Sequence, residues 1–268
     1  MDSPHNLLVY RSNGRFRISA YNVDWPIHFA TIKKELESDL IADGVTYISI
    51  EHVGSTSVPN LRAKAIIDIL LIIDPSEFHE AKRLQILEAL SGKTSGQGAY
   101  HNNHGDGGVQ GRWTLKVNGV YPYRSLYVVA SGSIPHRNPI DLRDTLRQCP
   151  DLRNEYERIK RDLAKTTKAE DLGQYSVNKG PMIRKILKRA GWTDAELDEM
   201  QAQNQRKGKE LEWMSMAGVE EDEIVEAARE GGGFCNSAPV DEESVATGVI
   251  HEESCREVAS TQDGMVRW

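Results

Sequence analysis

The feature that most constrains the fold is the apolar run AIIDILLII at residues 65–73. Its nearly continuous Ile and Leu content is typical of a strand that is covered on both faces of a sheet. One carboxylate, Asp68, interrupts the run. Burying a charge without a partner is costly, so we expect this acid at an open strand end, facing a cation or a ligand.

A Gly54-Ser55 turn lies just upstream, after the alternating segment VTYISIEHV at 45–53, which predicts a strand. Glycine allows a close backbone approach to a ligand, and the N–H groups and serine hydroxyl can hold phosphate oxygens. Polymerase-β-like nucleotidyltransferases combine such a turn with two acids, at i and i+2 of the next strand, that share a metal. Here the second position is Leu70, and one carboxylate is a poor Mg²⁺ clamp.

The remaining periodicity indicates helices alternating with strands. Asn118-Gly119 is a strong hairpin signal between two short strands. The pattern predicts an α/β or α+β domain with a short mixed sheet flanked by helices. Ser76 is the expected N-cap of the second helix. The predicted helices cover residues 25–41, 75–92, 139–148, 150–167 and 173–191.

The Gly-, Asn- and His-rich segment 92–113 predicts a long loop that covers a substrate. His101, His104 and Asp106 in such a loop have no fixed geometry, so we expect no metal site there. The three cysteines are far apart, which argues against a disulfide framework or structural zinc. Because no signal-peptide or membrane-spanning pattern is found, a cytoplasmic protein without membrane contact is expected.

Charge divides the chain unevenly. Residues 191–268 carry 6 Lys and Arg against 19 Asp and Glu, whereas residues 1–190 carry 27 basic against 21 acidic residues. We therefore expect an N-terminal arm at 1–19, a domain at 20–191, and an acidic tail at 192–268 that is partly helical and then disordered. The tail either solubilises the protein or screens the basic body from wrong polyanions.

The segment HVGSTSVPNLRAKAIIDILLII at 52–73 resembles the GrpB family, also called UPF0157, which has a nucleotidyltransferase-like fold. Trp25-Pro26, the segment 142–164, and Tyr175 with Lys179 extend the resemblance over about residues 20–191. The resemblance implies a polymerase-β-like nucleotidyltransferase fold, followed here by a polar C-terminal extension. Two departures stand out within the motif: Asn60 replaces the usual Gly, and Ala65 replaces the usual Pro.

A third departure lies on a late strand, where Ser125 and Tyr127 replace the family's His-x-His pair. This strand and the long extension make the chain similar to the fungal arginine-containing cyclodipeptide synthases. That resemblance implies an enzyme of secondary metabolism that uses arginyl-tRNA and a second aminoacyl-tRNA to form a cyclic dipeptide. It implies no cofactor, no metal and no obligate protein partner.

Aminoacyl-tRNA is an activated ester, so this chemistry needs positioning and proton transfer but neither ATP nor a redox cofactor. An arginyl group calls for a carboxylate, and Glu51 and Asp68 are the candidates. Ser55 or His52 would handle the amine proton, or Ser55 would accept the aminoacyl group. Alternatively, Ser55 only caps the following helix and His52 is a structural histidine.

Substrate contacts and tRNA contacts are expected from two further groups. Arg143 and Arg147 are four residues apart on one helix, so both can point into the cleft. The other expected substrate-binding residues are Gly54, Thr56, Lys64, Arg124 and Tyr127. Phosphate contacts are expected from Lys160, Arg161, Lys165, Lys179, Arg184, Lys185 and Lys188, unless these residues form an ordinary solvated face.

Two other functions fit the same fold. One is a metal-dependent nucleotidyltransferase, against which the Leu70 position counts. The other is a non-catalytic module that binds RNA or a nucleotide.

Overall fold

The structure is a computed structural model, and it describes residues 17–91, 99–102, 110–117, 120–167, 175 and 177–203. The chain divides into two units, 1–231 and 232–268, and every described residue belongs to the first. Within these described stretches, no helix is long and apolar enough to cross a bilayer.

Five strands form one mixed sheet in the order β1-β2-β5-β4-β3. Strands β2 and β5 are parallel, and the other three neighbouring pairs are antiparallel. The mixed sheet flanked by helices is the fold class that the sequence predicts. The strands are β1 Ser49–Val53, β2 Ile67–Ile73, β3 Tyr100–Asn102, β4 Arg112–Val117 and β5 Arg124–Ala130.

Helices cover both faces of the sheet. The first two pack on one face, and the third packs on the other through Ile140. The helices are α1 Trp25–Ala42, α2 Glu80–Ala89, α3 Ile134–Gln148, α4 Pro150–Thr166 and α5 Gly180–Arg189. Residues 194–203 are also helical.

Strand β2 is buried on both faces, as its composition predicts. Ile67, Ile69 and Leu71 point to the face that packs against α1 and α2, where they join the largest apolar cluster. Leu70 and Ile72 point to the opposite face, in a smaller cluster near α3. Because strand side chains alternate, Asp68 shares the face of Leu70 and lies at the beginning of the strand.

The predicted helix at 75–92 differs in the structure. Residues Pro75–Glu77 form a 3-10 turn, in which the Asp74 side chain accepts a hydrogen bond from the Ser76 N–H. The α-helix begins only at Glu80, and its N-cap is His79, whose ring accepts from the Lys82 N–H. Asp74 thus supplies the cap expected of Ser76. Its carboxylate lies one residue ahead of the proline and accepts a hydrogen bond from a backbone N–H at the beginning of the turn. Gly92, the expected stop, lies outside the described residues.

The predicted long loop at 92–113 contains regular structure at both ends of its described part. Tyr100–Asn102 form β3, which pairs with β4, and Tyr100 is buried in the main core. Arg112 begins β4. The antiparallel pairing of β4 with β5 matches the hairpin prediction, although Asn118 and Gly119 themselves lie outside the described residues.

Residues 192–203, which the sequence assigns to the tail, pack against the preceding helices. Trp192, Leu197 and Met200 are buried, and they contact Ile134, Leu142 and Ile183. Their spacing leaves a narrow apolar stripe on a very polar segment. Packed structure therefore extends at least twelve residues past the predicted domain boundary.

Candidate functional site

The Gly-Ser turn brings the backbone against Asp68. Strand β1 ends opposite this acid, with Val53 in register with Asp68. Gly54 follows at φ 69°, in the left-handed region that favours glycine. A Cβ atom at residue 54 would lie 2.9 Å from the Asp68 Cβ and would overlap its carboxylate. Residue 54 therefore has to be glycine for two reasons. Its backbone has a positive φ, and the Asp68 side chain leaves no space for a Cβ atom.

Asp68 faces a cavity of about 210 Å³. Tyr127, on the neighbouring strand, points its hydroxyl at the Asp68 Oδ1 atom from 3.4 Å, a long hydrogen bond. Burial raises the pKa of Asp68 to about 6, although nearby Lys64 and Lys179 pull it down. The carboxyl group is therefore ionised at neutral pH and close to the pKa of a general base.

Three lysines surround Asp68, and we call Lys64, Lys160 and Lys179 the lysine cluster. All three lower the pKa of the Asp68 carboxyl group by charge attraction. Lys64 and Lys179 lie over the Tyr175 ring, with ammonium-to-centroid distances of 5.4 and 4.5 Å. Asp68 therefore sits among cations already, which disfavours its predicted role as partner of a substrate guanidinium.

Lys160 is only 3% exposed and donates a hydrogen bond to the Arg62 carbonyl oxygen. Burial, together with the charges of Lys179 and Lys64, lowers its pKa to about 7. The prediction that Lys160 contacts tRNA from the surface is therefore wrong. Its place on α4 turns it inward, beside the Tyr156 ring at 5.2 Å.

Ser55 lies at the first position of the 3-10 turn Ser55–Ser57, and its side chain interacts with the buried Tyr156 hydroxyl. Burial raises the pKa of Tyr156 to about 12, and the Ser55 contact opposes that rise. The turn is not capped by a side chain; instead, the Ser57 hydroxyl donates to the Gly54 carbonyl oxygen at 2.7 Å. The charge of Asp68 also raises the pKa of Tyr156, so Tyr156 lies within the electrostatic reach of Asp68.

His52 and Thr56 lie away from this group. The His52 ring stacks on Phe29 of α1, with centroids 4.7 Å apart, on the sheet face opposite Asp68. Its Nε2 atom is 3.0 Å from the Thr56 hydroxyl, which donates to the Ile66 carbonyl oxygen. Burial and two arginines lower the pKa of His52 to about 4. The predicted catalytic and substrate roles are therefore replaced by a structural one.

Arg124 also occupies the opposite face. Asp68 is in register with Ser125, so residue 124 points away from the cavity. Its side chain is 1% exposed and forms an ion pair with Glu35 of α1 at 2.8 Å. The prediction that Arg124 binds substrate is wrong because strand alternation reverses its direction. Tyr127, two residues after Ser125, does line the cavity as predicted.

Glu51, Arg143 and Arg147 support the turn instead of lining the cavity. Arg143 forms an ion pair with Glu51 at 3.0 Å and donates to the His52 carbonyl oxygen at 2.9 Å. Arg147 donates to the Ser57 carbonyl oxygen at 2.8 Å. Helix α3 thereby holds the backbone on both sides of the Gly-Ser turn. The expected roles in substrate binding are not favoured, since internal partners occupy these three charges.

The other basic residues that are predicted to bind tRNA lie outside the cavity. Arg184, Lys185 and Lys188 of α5, here called the outer basic face, each pair with a carboxylate. The partners are Asp198 at 2.6 Å, Glu155 at 2.7 Å and Asp194 at 2.9 Å respectively. On α4, Lys165 pairs with Asp162 at 2.8 Å and Arg161 is exposed.

The sequence did not indicate several residues of the site. Tyr156 is four residues before Lys160, which places both side chains on one helix face, but this spacing alone does not indicate a site. Asn138 and Gln203 line the cavity without any local signal. Among the residues that the structure describes, no three His, Cys, Asp or Glu side chains come together as a metal site. His104 and Asp106 lie outside those residues.

Comparisons with known proteins identify the family. Residues 15–189 match the model of the family described as GrpB protein. The UPF0157 protein YqkA of Bacillus subtilis is 26% identical over 170 residues, which are 63% of this chain and 46% of that protein. The match thus spans less than half of the Bacillus relative. The UPF0157 protein BH1888 of Halalkalibacterium halodurans is 29% identical over 68% of this chain and 85% of its own.

A solved structure agrees with both the fold and the family. The conserved protein GrpB from Enterococcus faecalis superposes with a TM-score of 0.51 and 26% identity, covering 65% of this chain and 96% of that one. The family match over residues 15–189 includes the Gly-Ser turn and the strand that carries Asp68. The chain belongs to the GrpB family.

Proposed function

We propose that this chain is an arginine-containing cyclodipeptide synthase, which joins an arginyl group and a second aminoacyl group, both delivered on tRNA. The observation that carries the proposal is the single carboxylate, Asp68, at the edge of a small cavity beside the Gly-Ser turn. The cavity of about 210 Å³ is smaller than the pockets of roughly 300–1,000 Å³ that hold drug-sized ligands, and it suits an aminoacyl group.

Proton transfer is the role that suits Asp68 best. Its pKa of about 6 leaves the carboxylate ionised at pH 7, yet basic enough to accept a proton. In each peptide-forming step an α-amine attacks an ester carbonyl, a C–N bond forms, and the ester C–O bond breaks. Asp68 takes the proton from the amine and returns it to the departing oxygen. The departing oxygen belongs to the ribose of the second tRNA in the first step and to Ser55 in the second step, which closes the ring.

Ser55 is the candidate acceptor of the first aminoacyl group. Its hydroxyl interacts with the Tyr156 hydroxyl, whose pKa the Asp68 charge raises. Attack of the Ser55 oxygen on the ester would transfer the aminoacyl group to the serine and release tRNA, with the hydroxyl proton passing to the departing ribose oxygen. The ester stays activated throughout, so no ATP is consumed.

Phosphate binding is the role that we assign to Lys64 and Lys179 of the lysine cluster. Both ammonium groups act on the Asp68 carboxyl group and supply positive charge for the 3′ end of a tRNA, whereas Lys160 is held by the Arg62 carbonyl oxygen. Arginine as one of the two amino acids is supported by the sequence resemblance alone, because Glu51 is already paired with Arg143.

Mass spectrometry of small molecules from cells that express the chain tests the proposal. We expect a cyclic dipeptide that contains arginine, and its loss in Ser55→Ala. Ser76→Ala is the matched control, because Ser76 is exposed and bonded only to Asp74. Absence of every arginine-containing cyclic dipeptide would rule out the proposal.

Two further assays separate the other functions that fit the fold. Incorporation of a labelled nucleotide into an acceptor would support nucleotidyl transfer. Salt-sensitive RNA binding that Asp68→Ala and Ser55→Ala leave unchanged, without any product, would support a binding module.

A further inference from the structure

The cavity beside Asp68 has three walls. The sheet supplies the first through Val53, Leu70 and Tyr127, and the start of α3 supplies the second. The third wall comes from residues beyond the region that matches the family, namely Met200 and Gln203. A cavity that is central to the family-matched domain is thus completed by a segment outside the match.

This third wall is firmly attached. The Trp192 indole N–H donates to the Asp141 carboxylate at 2.7 Å, and the Arg137 guanidinium lies 4.7 Å from the Trp192 ring centroid. Arg137 also pairs with Glu196 at 2.6 Å. Leu197 is fully buried between these contacts.

The helix at 194–203 also has a well-formed beginning. The Thr193 hydroxyl and backbone N–H both donate to the Glu196 carboxylate, at 2.8 and 2.9 Å, and the Glu196 N–H points back to the Thr193 hydroxyl. This reciprocal pair is a capping box, which fixes where the helix starts. Two further ion pairs, Asp194 with Lys188 and Asp198 with Arg184, tie its outer side to α5. Met200 and Gln203 are therefore held in place, at 4% and 5% exposure.

We propose that residues 192–203 form a specificity-determining wall, in which Met200 and Gln203 set the size and polarity of the group that the cavity accepts. The apolar part of that group would pack against Val53, Leu70, Ile134 and Leu142, while Asp68, Arg112, Tyr127 and Asn138 add charged and polar groups to the lining. This step rests on the proposed function: we identify the group that the cavity accepts as the side chain of the amino acid that is joined to arginine. Gln203 contributes an amide that can select among groups with a polar atom.

The size of Met200 makes the inference testable by substitution. Met200→Ala enlarges the cavity and Met200→Phe reduces it, whereas the ion pairs and the capping box stay in place. One methylene in an apolar pocket changes discrimination by about tenfold or more. With a mixture of aminoacyl-tRNAs, Met200→Ala should shift the ratio of products toward the bulkier second amino acid by at least about tenfold. Met200→Phe should shift it the other way.

Met182→Ala is the matched control. Met182 has the same 4% exposure but packs between Val58 and Leu61, away from the cavity. It should lower thermal stability without altering the product ratio. Equal changes of yield in Met200→Ala and Met182→Ala, with an unaltered ratio in both, would overturn the inference.

A second measurement does not depend on catalysis. The full chain with ¹³C-labelled methionine methyl groups is titrated with N-acetyl amides of alanine, leucine, phenylalanine and glutamate, and Met200→Ala identifies the resonance. We expect the Met200 methyl signal to move more with leucine and phenylalanine than with alanine, while the Met182 signal stays fixed. A Met200 signal that no probe moves would overturn the inference, even if cyclic dipeptides are made. Conversely, its selective movement would support the wall even if no cyclic dipeptide is formed.

Discussion

The lysine cluster and the outer basic face contain the same kinds of residue in opposite surroundings. Lys160 is 3% exposed and lies among Lys64, Lys179 and Asp68, and burial lowers its pKa to about 7. Lys185, whose side chain is 56% exposed, forms its ion pair with Glu155 at the surface. Both lysines occur on amphipathic helices, α4 and α5 respectively. Because the residue type is the same, exposure decides the role. A buried lysine alters the pKa of a nearby carboxyl group, whereas an exposed lysine only forms a surface ion pair.

The two groups of cations also differ in the carboxylates that interact with them. Inside, all three ammonium groups act on the single Asp68 carboxylate, and Glu157 also acts on Lys160. Outside, each cation of the outer basic face has its own carboxylate partner. Acids from the segment 192–203 supply two of those partners. The beginning of the acidic extension thus pairs with part of the basic surface.

Removing the Asp68 charge should have the largest effect on the inner group. Asp68→Asn should lower the rate of product formation by about 10²–10⁴-fold, the usual contribution of a general base. Steady-state assays on charged tRNA measure the change, with Asp74→Asn as an exposed control. A rate within threefold of wild type would contradict the assigned role of Asp68.

The same variant also predicts a pH dependence of stability. The folded-state pKa of Asp68 is about 6, above its ordinary value of 3.8, so the folded state holds the proton more tightly. The wild type should therefore lose about 3 kcal/mol relative to Asp68→Asn between about pH 4 and pH 7. Asp74 has a lowered pKa, so the comparison with Asp74→Asn should have the opposite sign. Urea unfolding at several pH values measures both.

Replacing one lysine from each group compares burial directly. Lys160→Met should lower the free energy of unfolding by about 1–3 kcal/mol at neutral pH, because the Arg62 carbonyl oxygen loses its donor. Lys185→Met should cost about 0–1 kcal/mol, as an exposed pair. The folded-state pKa of Lys160 is below its unfolded value, so the wild type should gain stability over Lys160→Met as pH rises above about 7. Equal costs in the two variants would erase the distinction between the groups.

The smallest expected effect concerns the outer ion pairs. Asp194→Asn with Asp198→Asn releases Lys188 and Arg184, and should raise tRNA affinity severalfold at low salt. The plot of log affinity against log salt should steepen by about one to two, as two phosphate contacts become available. Asp24→Asn with Asp43→Asn makes the same change of charge at exposed positions on α1 and serves as control. A slope that changes equally in both pairs would assign the effect to net charge alone.

Local chemistry was sufficient to predict part of the site. The glycine at 54, the apolar composition of β2 and the single acid at 68 correctly indicated a tight turn, a doubly covered strand and a carboxylate facing a cavity. Each of these three predictions depends on residues that are close in sequence, or on which side chains a buried strand can accommodate. The helix pair separated at Cys149-Pro150 was predicted for the same reason, because proline interrupts the hydrogen bonding of the preceding helix.

Other assignments failed because they depend on partners far along the chain. His52 and Arg124 carry plausible chemistry, but each lies one residue out of phase with the site face of its strand. Their partners, Phe29 and Glu35, lie on α1 and were not predictable without the packing of that helix. Trp192 and Met200 showed too narrow an apolar stripe to indicate burial in an otherwise charged segment.

Local sequence defined most helices and strands, the turn that only glycine can make, and the single acid in an apolar strand, because backbone sterics and burial costs act locally. The tertiary structure alone decided which charges are neutralised by internal partners and which remain near the cavity. It also decided that a segment past the family match closes that cavity. Ion pairs and cavity walls join residues tens of positions apart, so their energies exist only once the sheet and helices are assembled.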